Sequence, residues 1–172
     1  MLLRLLLSGC LLFLLPAAVE QESGTVKSRG VPETCPASKP SDTPFMPPSP
    51  YPTKASVGSF WFGTDRLWTI LRSDARWPQD VKTFWWRQEW GRYDWGVHGS
   101  IPRDNSSKLR VSARRLDAPA PSPVISRAKG GYREQDLKAF LVGGIKFSTP
   151  GCWSVTGRYD DDELTFVVWV AK

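Results

Sequence analysis

The chain has 172 residues, 23 Lys and Arg against 17 Asp and Glu for a net charge of +6, one histidine and nine tryptophans. The basic residues are interspersed with acidic ones instead of forming a block, which argues against a nucleic-acid partner. It suits a mixed, solvated surface, with affinity for anionic envelope material as the functional alternative.

The first residues, MLLRLLLSGCLLFLLPAAVEQES, place Arg4 ahead of an apolar run from Leu5 to Leu15, with Ala17 and Ala18 before polar chain. This is the pattern of a secretory signal peptide over residues 1–19. The run is shorter than the roughly 20 apolar residues a membrane span needs. Leu7-Ser8-Gly9-Cys10 also resembles a bacterial lipobox, in which Cys10 would carry a lipid. Few apolar residues precede Cys10 and more hydrophobic chain follows it, so the lipoprotein is the minor reading. Membrane contact is expected only through the leader or that lipid.

Residues 20–30 are polar and without period, the composition of disordered chain. From Val31 to Lys54 there are eight prolines, which remove backbone donors and hold φ, so an extended, polyproline-like strap is expected. Residues 20–54 therefore precede a folded domain over 55–172. Without the leader the cysteines are Cys35 and Cys152. In an oxidising compartment such a pair suggests one disulfide, with two free thiols as the alternative.

After Ala55 short β-type runs alternate with turn residues. Ser59–Phe62 and Leu67–Leu71 flank a hairpin turn at Gly63-Thr64-Asp65. Asp80–Arg87 reads as a strand. Leu109, Val111 and Ala113 alternate with Lys108, Arg110, Ser112 and Arg114, as in a sheet with one wet face. Asp117–Gly131 reads as a crossing loop, and Phe140–Phe147 as a strand broken at Gly143-Gly144. Trp153, Val155 and Tyr159 share one face of the next strand, and Leu164–Val170 has the continuous apolar character of a strand covered on both sides. Six to eight strands, with no helical period over ten residues, predict an all-β sandwich or barrel.

Glu33-Thr34-Cys35-Pro36, Arg66-Leu67-Trp68-Thr69, Trp85-Trp86-Arg87, Arg115-Leu116-Asp117-Ala118-Pro119 and Pro150-Gly151-Cys152-Trp153-Ser154-Val155-Thr156-Gly157-Arg158 occur in that order. Together they resemble an uncharacterised family of bacterial exported proteins, and the last piece resembles the closing strands of bacterial immunoglobulin-like domains. The match does not extend to Glu89–Ser107. The resemblance implies an immunoglobulin-like β-sandwich after a proline-rich extended segment, in the cell envelope or outside the cell. It implies no reaction and no cofactor.

Catalytic readings are weak. His98 is the one side chain a Ser-His-Asp or Cys-His site could use as its base, and Gly96 and Gly99 around it read as a loop. No G-x-S-x-G, H-E-x-x-H, phosphate-cradling glycine loop or C-x-x-C occurs. Glu89 with Asp94 is a carboxylate pair of the kind a glycan hydrolase holds about 5–9 Å apart, and nothing in the pattern selects it. Asp160-Asp161-Asp162-Glu163 is a contiguous acidic run. Calcium needs converging, spaced carboxylates, so the run reads as a hairpin turn. Asn105-Ser106-Ser107 is an incidental glycosylation sequon. No metal site and no catalytic residue is assigned.

The sharper feature is the segment Trp85–Trp95. In a strand Trp86 and Trp90 would share one face and Trp85 the other. The set Trp85, Trp86, Arg87, Trp90, Tyr93 and Trp95 is therefore the candidate ligand-binding surface for a polysaccharide or an envelope protein. The alternative is that both faces are covered and the rings are core. The leading expectation is a non-enzymatic binding module; a small hydrolase of envelope glycans and a structural accessory domain are the other readings.

Overall fold

Strands that alternate in polarity bury one face, and they do so here in pairs of sheets. A computed structural model of the chain describes residues 30–92, 103–133 and 138–172. The leader with Cys10, residues 20–29, Tyr93, Asp94, Trp95 and His98 lie outside the described residues. The first sheet has the order β1 (Ser59–Gly63), β2 (Trp68–Arg72), β4 (Asp80–Trp86), β8 (Lys138–Lys146) and β6 (Val124–Ile125), with β7 (Lys129–Arg133) also paired to β8. The second has the order β3 (Arg76–Trp77), β10 (Asp162–Val170), β9 (Gly151–Tyr159) and β5 (Arg110–Arg115). Neighbours are antiparallel except β3, which runs parallel to β10. Two packed sheets make the expected all-β sandwich. The helical pieces among the described residues are a 3-10 turn over Gln88–Arg92 and α1 (Arg103–Lys108).

Between the sheets lie Trp85, Leu141 and Ile145 from the first, and Trp153, Val155, Phe166, Val168 and Val170 from the second. Trp85 Nε1 donates to Thr83 Oγ1 at 2.9 Å, and Thr83 Oγ1 is 3.2 Å from the Gly143 carbonyl oxygen. A buried indole keeps its hydrogen bond in this way. Arg110, Ser112 and Arg114 face solvent while Leu109 is buried, as the alternation predicts. Lys108 differs, because it ends α1 instead of starting the strand.

Two segments depart from expectation. The crossing region 117–131 contains β6 and the start of β7. Also, β8 passes unbroken through Gly143-Gly144 because those glycines stay paired with β4. The Gly144 N–H donates to Ser126 Oγ at 2.6 Å, and the Ser126 N–H donates to the Gly144 carbonyl at 2.9 Å. A side chain at Gly144 would stand 2.9 Å from Ser126 Oγ, so the glycine admits the neighbouring segment instead of ending the strand.

The proline-rich segment is a third layer. Cys35 is bonded to Cys152, with Cα atoms 5.6 Å apart, and Val31 and Ala37 pack there with Val167 and Trp169. The Ser38 N–H donates to the Val167 carbonyl at 2.8 Å, and Ser38 Oγ accepts from the Val167 N–H at 3.0 Å. The chain then crosses to the other sheet, where Phe45, Tyr51 and Ala55 pack on Trp61, Trp68, Trp86 and Phe140. Few backbone donors are left to satisfy in a segment this rich in proline, so it can lie on an aromatic face without orphaning N–H groups.

Tyr51 anchors the strap, its hydroxyl lying 3.0 Å from the Arg87 carbonyl oxygen and 3.2 Å from that of Ala139. Burial, and secondarily the charge of Glu89, raises its pKa well above the ordinary tyrosine value. Pro50 sits over Gly91, where a Cβ would come within 2.6 Å of its ring. Tyr51→Phe is expected to lower the unfolding free energy by about 1 kcal/mol, the net worth of one hydrogen bond, measured by denaturant titration.

The turn from β2 to β3 is closed by charge. Arg72 reaches Asp74 through Nε at 3.0 Å and Nη2 at 2.8 Å, and the Arg76 N–H donates to Asp74 Oδ1 at 3.0 Å. The Arg72 hydrogen bonds hold the Asp74 carboxyl at about 2, below its usual 3.8. The folded state thus binds this proton less readily than the unfolded chain. Its stabilisation is present above about pH 4 and is lost as the pH falls toward 2. The side chain is 46% exposed, so solvent screening keeps the effect below about 1 kcal/mol. Carboxyl NMR titration should give a midpoint near 2; a value near 3.8 would show that the pair does not form in solution.

Candidate functional site

Trp85 and Trp86 are 0% exposed and Trp90 is 1% exposed, so at these three positions the rings are core, the alternative the sequence left open, and do not form an aromatic ligand surface; Tyr93 and Trp95 lie outside the described residues. Trp85 faces the inter-sheet core, whereas Trp86 points to the opposite face and is covered there by the strap. Trp90 does not share the side of Trp86, because the strand ends and the 3-10 turn swings it into the inter-sheet core. There it meets Tyr159 edge-on, with ring centroids 5.3 Å apart. Both faces of the sheet are covered, and these rings are structural.

Arg87 is also committed. Its guanidinium bonds Glu89 through Nε and Asp162 through Nη1 and lies 4.6 Å from the centre of the Tyr159 ring. Arg66 Nε reaches the other oxygen of Asp162 at 2.9 Å. Burial works against the Arg87 charge, and the two carboxylates more than restore it, leaving its pKa above the usual arginine value. Burial, then Asp160, pushes the Tyr159 hydroxyl up to about 12. This cluster clamps the 3-10 turn to the β9–β10 hairpin.

The acidic run divides among structural tasks. Asp162 pairs with Tyr159 in the ladder, so Asp160 and Asp161 form the two-residue connection, and Asp160 adopts φ 49°, a conformation aspartate tolerates well. Lys108 Nζ lies 3.1 Å from Asp160, and Glu163 pairs with Arg158. Asp160, Asp162 and Glu163 thus have cationic partners within the fold. Among the described residues no cluster of three or more His, Cys, Asp or Glu side chains could hold a metal ion. Glu89 is held by Arg87; Asp94 and His98 lie outside the described residues.

A cleft elsewhere went unnoticed in the sequence. Between Val167, where Ser38 docks, and the aromatic face that receives Phe45, the strap bridges the open side of the sandwich. It leaves a groove of about 490 Å³ lined by Lys39, Ser41, Thr43, Phe45 and Met46 of the strap, Phe60–Gly63 of β1, and Leu164 of β10. Lys39 is the single ionisable residue of the lining. Strand β1 is the edge of its sheet. The Ser73 N–H donates to the Gly58 carbonyl and the Thr64 N–H to the Leu67 carbonyl, so Phe60 and Phe62 bond to β2. By alternation the backbone groups of Trp61 and Gly63 point off the free side. Sequence reasoning missed the groove because it joins three segments distant in the chain. The one available signal was Phe45-Met46, two large apolar residues side by side in the proline-rich segment.

Fold and groove together define a disulfide-tied β-sandwich with a proline-rich strap bounding a cleft at one sheet edge. Comparison with family models, with curated proteins and with solved structures finds no match.

Proposed function

We propose that the protein is a non-enzymatic binding module of the cell envelope or extracellular space, and that its site is the strap-bounded groove. The observation that carries this reading is the free edge of β1 inside an apolar cleft. An extended segment of an envelope protein laid along β1 would pair with the backbone groups of Trp61 and Gly63. It would bury apolar side chains among Phe45, Phe60, Phe62 and Leu164 and set an acidic side chain by Lys39, the strand-addition mode of peptide recognition. The leader-like residues 1–19 and the Cys35–Cys152 bond support an exported protein, since structural disulfides persist in oxidising compartments.

Selection of displayed peptides on the folded protein tests this. Binders are expected to protect the Trp61 and Gly63 amides from hydrogen exchange. They should weaken on Met46→Asp, a change at a 66% exposed rim residue that spares the core. Binders that leave those amides unprotected would move the site elsewhere. A glycan signal that Met46→Asp abolishes, with no peptide binder found, would make the ligand a sugar.

A further inference from the structure

The outer face of the second sheet carries a different pattern. The ladder aligns Arg110 with Arg158 and Glu163, then Ser112 with Thr156 and Thr165, then Arg114 with Ser154 and Val167. Arg110 and Arg114 are exposed, and neither has an ion-pair or hydrogen-bond partner among the described residues. Their neighbour Arg115 is used internally, bonding Asp117 and Thr149. Glu163 is the one acidic residue the register places on this face, and Arg158 holds it. Between the arginine rows, Thr156 Oγ1 and Thr165 Oγ1 lie 2.8 Å apart.

Arg110 stands directly opposite Arg158 in the register, and the one carboxylate of that row, Glu163, pairs with Arg158, so the face keeps a net positive charge. We propose that this face binds a linear anionic polysaccharide. Carboxylate or phosphate groups of the chain pair with Arg110 and Arg114, and the row Ser112, Thr156 and Thr165 bonds sugar hydroxyls. Arg110 and Arg114 stand about 14 Å apart along β5, so they engage successive units of a polymer. A bilayer surface fits less well, because Val167, the one apolar side chain in these three rows, is partly buried against the strap. The groove at β1 is a separate site, and neither proposal depends on the other.

Binding of the full folded chain to immobilised polygalacturonate, with neutral dextran as reference, provides the test. Retention on the polyuronate should fall steeply with salt, and Arg110→Ser/Arg114→Ser should weaken it roughly tenfold or more. The charge-matched Lys82→Ser/Lys129→Ser, on strands of the other sheet, should leave it within about twofold, the scale of a lost long-range attraction. Arg110→Ser alone should unfold at about the same denaturant concentration as the native chain, since its exposed side chain has no ion pair among the described residues to lose. Equal losses in the two double variants would reduce the effect to net charge and overturn the proposal. So would equal binding to dextran, or binding to phosphatidylglycerol vesicles without binding to polyuronate.

Discussion

Reduction of the Cys35–Cys152 bond is expected to lower the unfolding free energy by about 4–5 kcal/mol. The bond closes a ring across a sequence separation of 117 residues, and the denatured chain gains the corresponding freedom when the ring opens. A folded-state effect adds to this, because the bond holds Val31 and Ala37 against Val167 and Trp169 at one end of the second sheet. Denaturant unfolding with and without reductant, repeated on a Cys35→Ala/Cys152→Ala chain, measures the loss. The tryptophan cluster offers a local readout, since Tyr51 and Phe45 of the same strap cover Trp68. A loss below about 1 kcal/mol would show that the strap stays docked through its aromatic contacts alone, or that the denatured chain is already restricted.

Gly157→Ala is expected to cost about 3 kcal/mol, the upper part of the range for overpacking a tight core. A Cβ there would lie 2.3 Å from two carbons of the Trp85 ring and 2.9 Å from a third. The ring has nowhere to go: it is fully buried, bonded to Thr83, and packed beside Phe166 at 5.9 Å between centroids. The partner change checks the cause. In a Trp85→Phe background the colliding part of the indole is gone, so the same Gly157→Ala change should cost at least about 1 kcal/mol less. A cycle with no coupling would place the strain in the β9 backbone instead of at the ring.

The strands were readable because alternation is a local property. Leu109, Val111 and Ala113 against Arg110, Ser112 and Arg114 state which side of β5 is wet, and Trp153, Val155 and Tyr159 state which side of β9 is core. Turn chemistry was local as well, which is why Asp160 and Asp161 read as a hairpin connection and not as a cation site. The cysteine pair needed only a count and the assumption of an oxidising compartment. Gly143-Gly144 misled, since a glycine that admits a neighbour and one that ends a strand look the same in one dimension.

The tryptophan segment shows where local reasoning stops. Opposite parity at Trp85 and Trp86 means that one ring must be exposed, unless something covers the second face. What covers it is Phe45, Tyr51 and Ala55, from a segment whose composition reads as linker. Burial of Trp86 is therefore a property of the strap's path, set by the bond at Cys35, the Ser38–Val167 contact and Tyr51 in its socket. The groove beside β1 follows from the same path. The main strands, their wet and dry faces and the cysteine pair that ties the strap were legible in local pattern alone. Which aromatic rings stay exposed depends on the folded path of the strap, because covering a second sheet face is an interaction between distant segments and leaves no period in either.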